Sequence, residues 1–383
     1  MNRHANKLAL LVGSNPLPNY LAAVMLAPRE VVLVYSPKTR DPRDHLRAAL
    51  ERRNITVSEV CIDDATDARK IRDACAGLAV DHLHYSGGTK PMAAHARQAC
   101  KLAESQATYL DERKGVLRFD DGYDIRLDQH ELGLTLDLLL KLHGIERVAP
   151  TESEAEGAPT DDDLSSVALS ILRNPKLAEL VRQRLRPEDK PQSITKAKKD
   201  QWEPQKEYGF SLSASVIPGK DWTNARYKTW DEFLTGGWLE AWTARLIRTC
   251  LDGSTTAVDV NVHCRRARPS PTEFQIDVAL IRGHRLHVVS CTTHQKKALC
   301  KSKLFEVAMR ARQMGGDLAR SALVSLLDGS DAKGAYVDQL RADIASVWDA
   351  PNVPRVFGLA DLREWAGTAG APNLSSLKEW LDS

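Results

Sequence analysis

Two sets of residues in this 383-residue chain have the types and spacing to do chemistry. The first is Ser86-Gly87-Gly88-Thr89-Lys90, set between the apolar run Val80–Tyr85 and a helical segment, Met92–Glu104. Glycines let backbone N–H groups close on a phosphate, the helix N-terminus adds partial positive charge, and Thr89 and Lys90 add a hydroxyl and a cation. The spacing is not that of a P-loop, and a plain strand-to-helix turn explains the loop alone equally well. Gly13-Ser14-Asn15 and Ser36-Pro37-Lys38, however, close two other strand-like runs. Three polar loops on one sheet edge point to a phosphate or nucleotide site. The second set is Lys303, Glu306 and Arg310, at i, i+3 and i+7 and hence on one helix face. Leu304, Val307, Ala308 and Ala311 supply the adjoining core stripe. Arg265-Arg266-Ala267-Arg268, with Lys296, Lys297 and Lys301, adds cations suited to a phosphate backbone. Taken alone, that basic run is more simply a solvated loop.

These residues need elements to hold them. In the first half, strand-like runs at Lys7–Val12, Glu30–Tyr35, Val57–Ile62, Val80–Tyr85 and Ala107–Asp111 alternate with helical segments, the rhythm of a parallel, doubly wound sheet. The glycine and serine turns fall at strand C-terminal ends, where such sheets bind ligands. After about Val148 the texture changes to an acidic stretch, a helical pair broken at Asn174-Pro175, and a Lys-rich stretch, read as a linker over 149–206. Residues 1–148 and 207–383 then form two units. The second runs as a long helix Trp230–Leu251 carrying Glu240, strands Thr256–Cys264, Phe274–Ile281 and Arg285–Thr292, a helix Leu299–Met314 and a last strand Ser321–Leu327. Trp222, Tyr227, Trp230, Trp238 and Trp242 read as core. His82, His84, His284 and His287 lack metal-ligand context and read as packing residues. Cys291 has no His-Asp partner to make it a nucleophile.

Composition narrows the class. A formal charge of +2 gives no global polyanion signature, so any nucleic-acid surface is a local patch. The seven cysteines have no C-x-x-C spacing, which excludes common zinc ribbons and suits a reducing, cytoplasmic setting. No run approaches the 18 or so apolar residues of a membrane span, and no secretory leader is read at Met1–Ala9.

The run Leu8-Ala9-Leu10-Leu11-Val12-Gly13-Ser14-Asn15-Pro16 and the run His84-Tyr85-Ser86-Gly87-Gly88-Thr89-Lys90-Pro91-Met92 resemble the CARF domain of CRISPR-associated ancillary proteins. That resemblance implies a Rossmann-like α/β domain that binds a cyclic oligoadenylate across a homodimer axis, with cyclic tetra-adenylate the expected ring. The implied ligand set is Gly13, Ser14, Asn15, Ser36, Lys38, Ser86, Gly87, Gly88, Thr89, Lys90 and Met92. The helix-strand-strand-strand-helix-strand order of the second unit resembles the restriction-endonuclease-like PD-(D/E)xK α/β fold. Gly236-Gly237-Trp238-Leu239-Glu240 matches its helix-borne acid, and Gln275-Ile276-Asp277-Val278 its strand-borne acid. By resemblance Glu240 and Asp277 hold Mg²⁺ or Mn²⁺, and Arg265, Arg266 and Arg268 contact nucleic acid.

The chain departs from that pattern at the third strand. Where the family ends in E-x-K, this sequence reads Val289-Ser290-Cys291-Thr292-Thr293, placing Ser290 and Thr292 at the acid and lysine positions. Either the domain is a decayed scaffold, or the missing groups have migrated to Lys303 and Glu306 on the next helix. The expectation is a metal-dependent endonuclease of type III CRISPR antiviral defence, cytoplasmic and not membrane-bound, switched on by cyclic oligoadenylate. Whether it cuts DNA or RNA stays open. The alternatives are a binding-only sensor and a ring nuclease, for which Ser14 and Lys90 would be the residues to suspect.

Overall fold

The computed structural model describes residues 3–148, 157–185, 204–213, 223–251, 256–266, 272–350, 352–368 and 370–383. The first sheet has seven strands, β1 (Lys7–Leu11), β2 (Glu30–Tyr35), β3 (Thr56–Cys61), β4 (His82–His84), β5 (Gln106–Asp111), β6 (Val116–Phe119) and β7 (Asp124–Arg126), in the order β3-β2-β1-β4-β5-β6-β7. The first five are parallel, and β6 and β7 add an antiparallel hairpin that the sequence reading did not anticipate. Leu8, Ala9, Leu10 and Leu11 are all fully buried, as a central strand covered on both faces requires. The order reverses between β1 and β4. Ligands of open parallel sheets bind at such a switch point.

The second sheet contains β8 (Ile145–Arg147), β9 (Val258–Arg266), β10 (Thr272–Arg282), β11 (Arg285–Thr292), β12 (Arg320–Ser325) and a short strand Arg355–Phe357. β9, β10 and β11 form an antiparallel meander, and β12 lies parallel to β11. Three features differ from the sequence reading. β8, placed there in the first unit, pairs with β9 at the edge of the second sheet. The helices Asp161–Arg173 and Lys176–Leu185, read there as linker, bury Val167, Ile171 and Val181 in the same core as Trp238 and Val289. The sheet also does not end at β12, because Arg355–Phe357 pairs beyond it and is followed by helices Leu359–Ala366 and Ser375–Asp382. Phe357 and Trp365 are buried there, on segments too short to give a periodic signal.

The long helix expected over Trp230–Leu251 is two helices, Asn224–Glu232 and Trp238–Cys250, joined by a π-turn at Phe233–Gly237. A Cβ at Gly237 would stand 3.2 Å from the Glu232 carbonyl oxygen, so glycine lets the wide turn close. Single π-turns are frequent at functional sites, and this one sets Glu240 in the first turn of its helix. Tyr227, Trp230, Trp238 and Trp242 are buried core, as read from the sequence, while Trp222 lies outside the described residues. The two sheets share a hydrophobic cluster, in which Leu10 and Leu33 join Val262, Ile276, Leu286 and Met314. The mixed α/β class with two sheets is borne out.

Candidate functional site

At the first sheet's switch edge, β2, β1 and β4 are direct neighbours, so the loops Ser36–Lys38, Gly13–Asn15 and Ser86–Lys90 lie side by side. A Cβ at Gly87 would overlap the Leu11 carbonyl oxygen, and one at Gly13 would stand 3.0 Å from the Gly88 amide. Two strand-end backbones touch here, and only glycine permits it. Several side chains expected to meet a ligand also hold this loop frame. Ser86 Oγ accepts from the Leu110 amide (2.5 Å). Thr89 Oγ1 accepts from the Met92 amide (3.3 Å) and donates to the Ala65 carbonyl (2.9 Å). Asn15 Oδ1 accepts from the Leu17 amide (3.0 Å) and lies 3.3 Å from His143 Nε2. Ser36 engages Thr39, and Met92 is buried beneath Gly88. Ser14, Lys38 and Lys90 are exposed and have no partner among the described residues. They are free to meet an anion. His82 and His84 share Thr108 Oγ1 (3.0 and 3.1 Å), and burial pushes them down to about 4 and about 3, so they are neutral packing groups.

In the second unit, β10 and β11 run antiparallel so that Asp277 faces Ser290. Asp277 Oδ2 accepts from the Cys291 amide (2.7 Å) and from Ser290 Oγ (3.1 Å). Ser290, at the family's acid position, therefore orients Asp277. Across β10, the ladder with β9 skips the Asp277–Asn261 pair, because Asn261 has a left-handed φ of 54°. The register is the same on both sides of the skipped pair, so no residue is inserted there. Glu240 lies close enough for the two carboxyls to repel. Burial first, then Asp277, pushes Glu240 up to about 8, with Glu232 adding and Lys303 opposing. Burial likewise raises Asp277, opposed by the Cys291 amide, Lys303 and Ser290, and reinforced by Glu306.

Thus Lys303, on the helix Lys297–Gly315, is near enough to act electrostatically on both Glu240 and Asp277, and Glu306 to act on Asp277. Thr292 is buried, and its hydroxyl accepts from the His294 amide (3.3 Å). Cys291 is buried with its thiol pushed well up, first by burial and then by both carboxylates, which rules it out as a nucleophile at neutral pH.

The basic residues divide. Arg265 pairs with Glu146 (3.0 Å), and Arg266 acts on His45 and His143 of the first unit, so both stand at the hairpin end away from Asp277. Arg268 lies outside the described residues. Lys297 hydrogen-bonds Gln339, and Lys301 pairs with Asp343 (2.8 Å), on the helix Tyr336–Val347. Arg310 stacks over Phe274 at 4.3 Å. Two groups at this site escaped the sequence reading. Arg182 comes from the helix assigned to the linker, and its Nη1 lies 3.2 Å from Nδ1 of His294, just past β11. Sequence spacing could not reveal that contact, which spans 112 residues.

The carboxylate pair suits a hard divalent cation. No described residue donates to Glu240 or to Asp277 Oδ1, so oxygen acceptors are left open between two carboxyls whose ionisation burial opposes. Mg²⁺-like ions are held by one or two such carboxylates with water completing the shell. Among the described residues no cluster of three or more candidate ligands occurs.

Residues 227–346 match the family model of the Card1-like endonuclease domain. Among solved structures, Can2 from Sulfobacillus thermosulfidooxidans, in complex with cyclic tetra-adenylate, matches with a TM-score of 0.68 at 17% identity over 98% of both chains. The protein VC1899 from Vibrio cholerae matches at 0.66 and 14% identity, again over 98% of both chains. A type III CRISPR defence DNA nuclease activated by cyclic oligoadenylate matches at 0.54 and 19% identity, over 91% of this chain and 53% of that one. No curated protein matches the chain. The expected architecture, a parallel-sheet α/β unit followed by a second α/β unit, is borne out at the level of the fold. The part that matches the Card1-like endonuclease model lies wholly within the second unit and contains Glu240, Asp277, Lys303 and Glu306.

Proposed function

We propose that this chain is a cyclic oligoadenylate-activated, metal-dependent endonuclease of type III CRISPR antiviral defence. The observation that carries the reading is the convergence of Lys303 on both Glu240 and Asp277, in a domain of Card1-like endonuclease type. Glu240 and Asp277 would hold Mg²⁺ or Mn²⁺. Such a cation, when bound, would lower the pKa of a water and offset charge on the scissile phosphate. Lys303 supplies the positive charge that Thr292 lacks. Glu306, exposed at the rim, supplies the second acid that Ser290 lacks. Ser290 and the Cys291 amide fix Asp277 so that Oδ1 stays open.

The switch-point loops would take the activator, with Lys90, Lys38 and Ser14 meeting its phosphates and ribose above the glycine contact. A cyclic tetra-adenylate has two-fold symmetry, so a homodimer sharing one ring across its axis is the arrangement we favour. Among the described residues no helix is long and apolar enough to cross a membrane. The test is incubation of labelled DNA and RNA with the protein, with and without cyclic tetra-adenylate and Mn²⁺. Cleavage that needs both additions supports the reading. Binding of the activator with no cleavage under any metal would leave a sensor with a decayed nuclease unit.

A further inference from the structure

Beyond the carboxylate pair, a histidine just past the end of β11 is held by an arginine from another helix and keeps one ring N–H unused among the described residues. Arg182 Nη1 lies 3.2 Å from His294 Nδ1. A guanidinium can only donate, so Nδ1 must accept and the ring proton must sit on Nε2. Arg182 is itself held by Glu179, one turn earlier on the same helix. Gln295 Nε2 ties the loop to the Pro175 carbonyl at 2.8 Å, where that helix begins. Leu177 and Val181 anchor the helix in the core that contains Trp238 and Val289. The imidazole is therefore fixed in place and in tautomer.

Its Nε2–H donates to no described residue. The charged groups that act on the ring are Arg182, Lys303 and Lys296, with Glu179 the one acid, and Glu179 is already engaged by Arg182 and Gln183. Lys296 and Lys303 have no ion-pair partner among the described residues. Lys296 also stands at the N-terminus of the helix Lys297–Gly315, which has no side-chain cap, so that end presents unpaired amides as well. Around this ring cations outnumber acids, and a fixed N–H donor among cations suits an anion with several acceptor oxygens. Lys303 places that region beside Glu240 and Asp277.

We propose that His294, oriented by Arg182, donates its Nε2–H to a phosphate oxygen of the nucleic acid at the carboxylate pair. It adds a neutral N–H donor past the end of β11, beside the positive charge of Lys303. The role rests on the nuclease reading for its substrate, but its chemistry is phosphate binding, which can be measured without cleavage. His294 is the contacting residue and Arg182 a positioning residue that acts through it.

The experiment measures fluorescence anisotropy of fluorescein-labelled DNA and RNA oligonucleotides with activated full-length protein in Ca²⁺. Single-turnover cleavage in Mn²⁺ is followed in parallel. His294→Ala should weaken binding of the preferred oligonucleotide by about tenfold, the scale of one hydrogen bond to a charged group. His294→Gln, which keeps an N–H near the Nε2 position, should recover much of that loss. Arg182→Ala should fall with His294→Ala, and the double variant should be little worse than either single one, since both act through one contact. Melting temperature and activator affinity should stay at wild-type values. Wild-type binding and cleavage in His294→Ala and Arg182→Ala would overturn the inference and leave the nuclease reading intact. Loss of binding in both variants, recovery in His294→Gln, and no cleavage by wild type in any metal would uphold the phosphate contact while removing the nuclease reading.

Discussion

Replacing Glu240 by Gln should change how stability depends on pH, and the direction follows from the carboxylate pair. Burial and then the Asp277 charge carry Glu240 from 4.5 to about 8. Between those values the folded chain keeps a proton that the unfolded chain has released. The folded state thus binds more protons, and stability falls as pH rises through that window. Below the window both states are protonated and there is no penalty. Above it the penalty is complete and constant. At about 1.4 kcal/mol per unit, discounted because the carboxyl keeps some contact with water, the loss by pH 8 is on the order of a few kcal/mol. For a unit of this size that is a fall of roughly 5–10 °C in melting temperature. Glu240→Gln has no such proton to lose. It should melt near wild type at pH 5 and well above it at pH 8 without metal. Mn²⁺ binds the ionised pair and releases its protons, so it should raise the wild-type melting temperature strongly at pH 8, little at pH 5, and hardly at all in the variant. Scanning calorimetry from pH 5 to 9, with and without Mn²⁺, measures all of this. Parallel curves for the two proteins, or equal stabilisation of both by Mn²⁺, would refute the coupling of these carboxyls.

What could be read beforehand depended on how local each signal was. Of the parallel strands of the first sheet, β1, β2 and β4 are closely followed by Gly or Ser, and their alternation with helical segments made type and order legible. The contact of Gly13 with Gly87 was legible only as two glycine loops. Their touching is a consequence of β1 and β4 being neighbours, which strand order decides. Lys303 and Glu306 were legible because helix periodicity places i and i+3 on one face. That this face turns toward Asp277 depends on how the helix Lys297–Gly315 packs on β11 and β12. The split of Arg265 and Arg266 away from the acids was invisible, because a basic loop carries no mark of which end of its hairpin meets the substrate. Arg182 was hidden for a different reason. Polar flanking sequence made its helix look like linker, yet Leu177, Val181 and Leu185 bury it in the core of the second unit. The π-turn at Phe233–Gly237 escaped because Gly236-Gly237 marks a break without saying that a wide turn carries the helix on. Phe357, Trp365 and Trp380 escaped because their segments are shorter than the windows in which periodicity can be counted.

Four further outcomes bear on the two sites. Lys90→Ala removes an exposed, unpaired cation from the activator loops and should weaken cyclic tetra-adenylate binding by about tenfold in calorimetry, with the fold intact. Gly87→Ala would force a methyl group into the Leu11 carbonyl, a backbone atom with nowhere to go. It should destabilise the protein by about 1–3 kcal/mol and abolish activator binding, read by melting temperature and calorimetry. Asp277→Ala should abolish metal-dependent cleavage while leaving activator affinity unchanged, because the two sites lie on different sheets; cleavage at the wild-type rate would remove the PD-(D/E)xK assignment. The last outcome decides between migration and decay. Lys303 acts on Glu240 and Asp277 together, and Glu306 acts on Asp277, so Lys303→Ala and Glu306→Ala should each slow single-turnover cleavage by about a hundredfold. Thr292→Ala removes a buried hydroxyl whose partner is the His294 amide, and should cost little, since it has no charge to contribute. An active wild type beside fully active Lys303→Ala and Glu306→Ala would show that the charge lost from the E-x-K positions is supplied elsewhere. Lys296, which stands beside His294, would then be the next cation to remove.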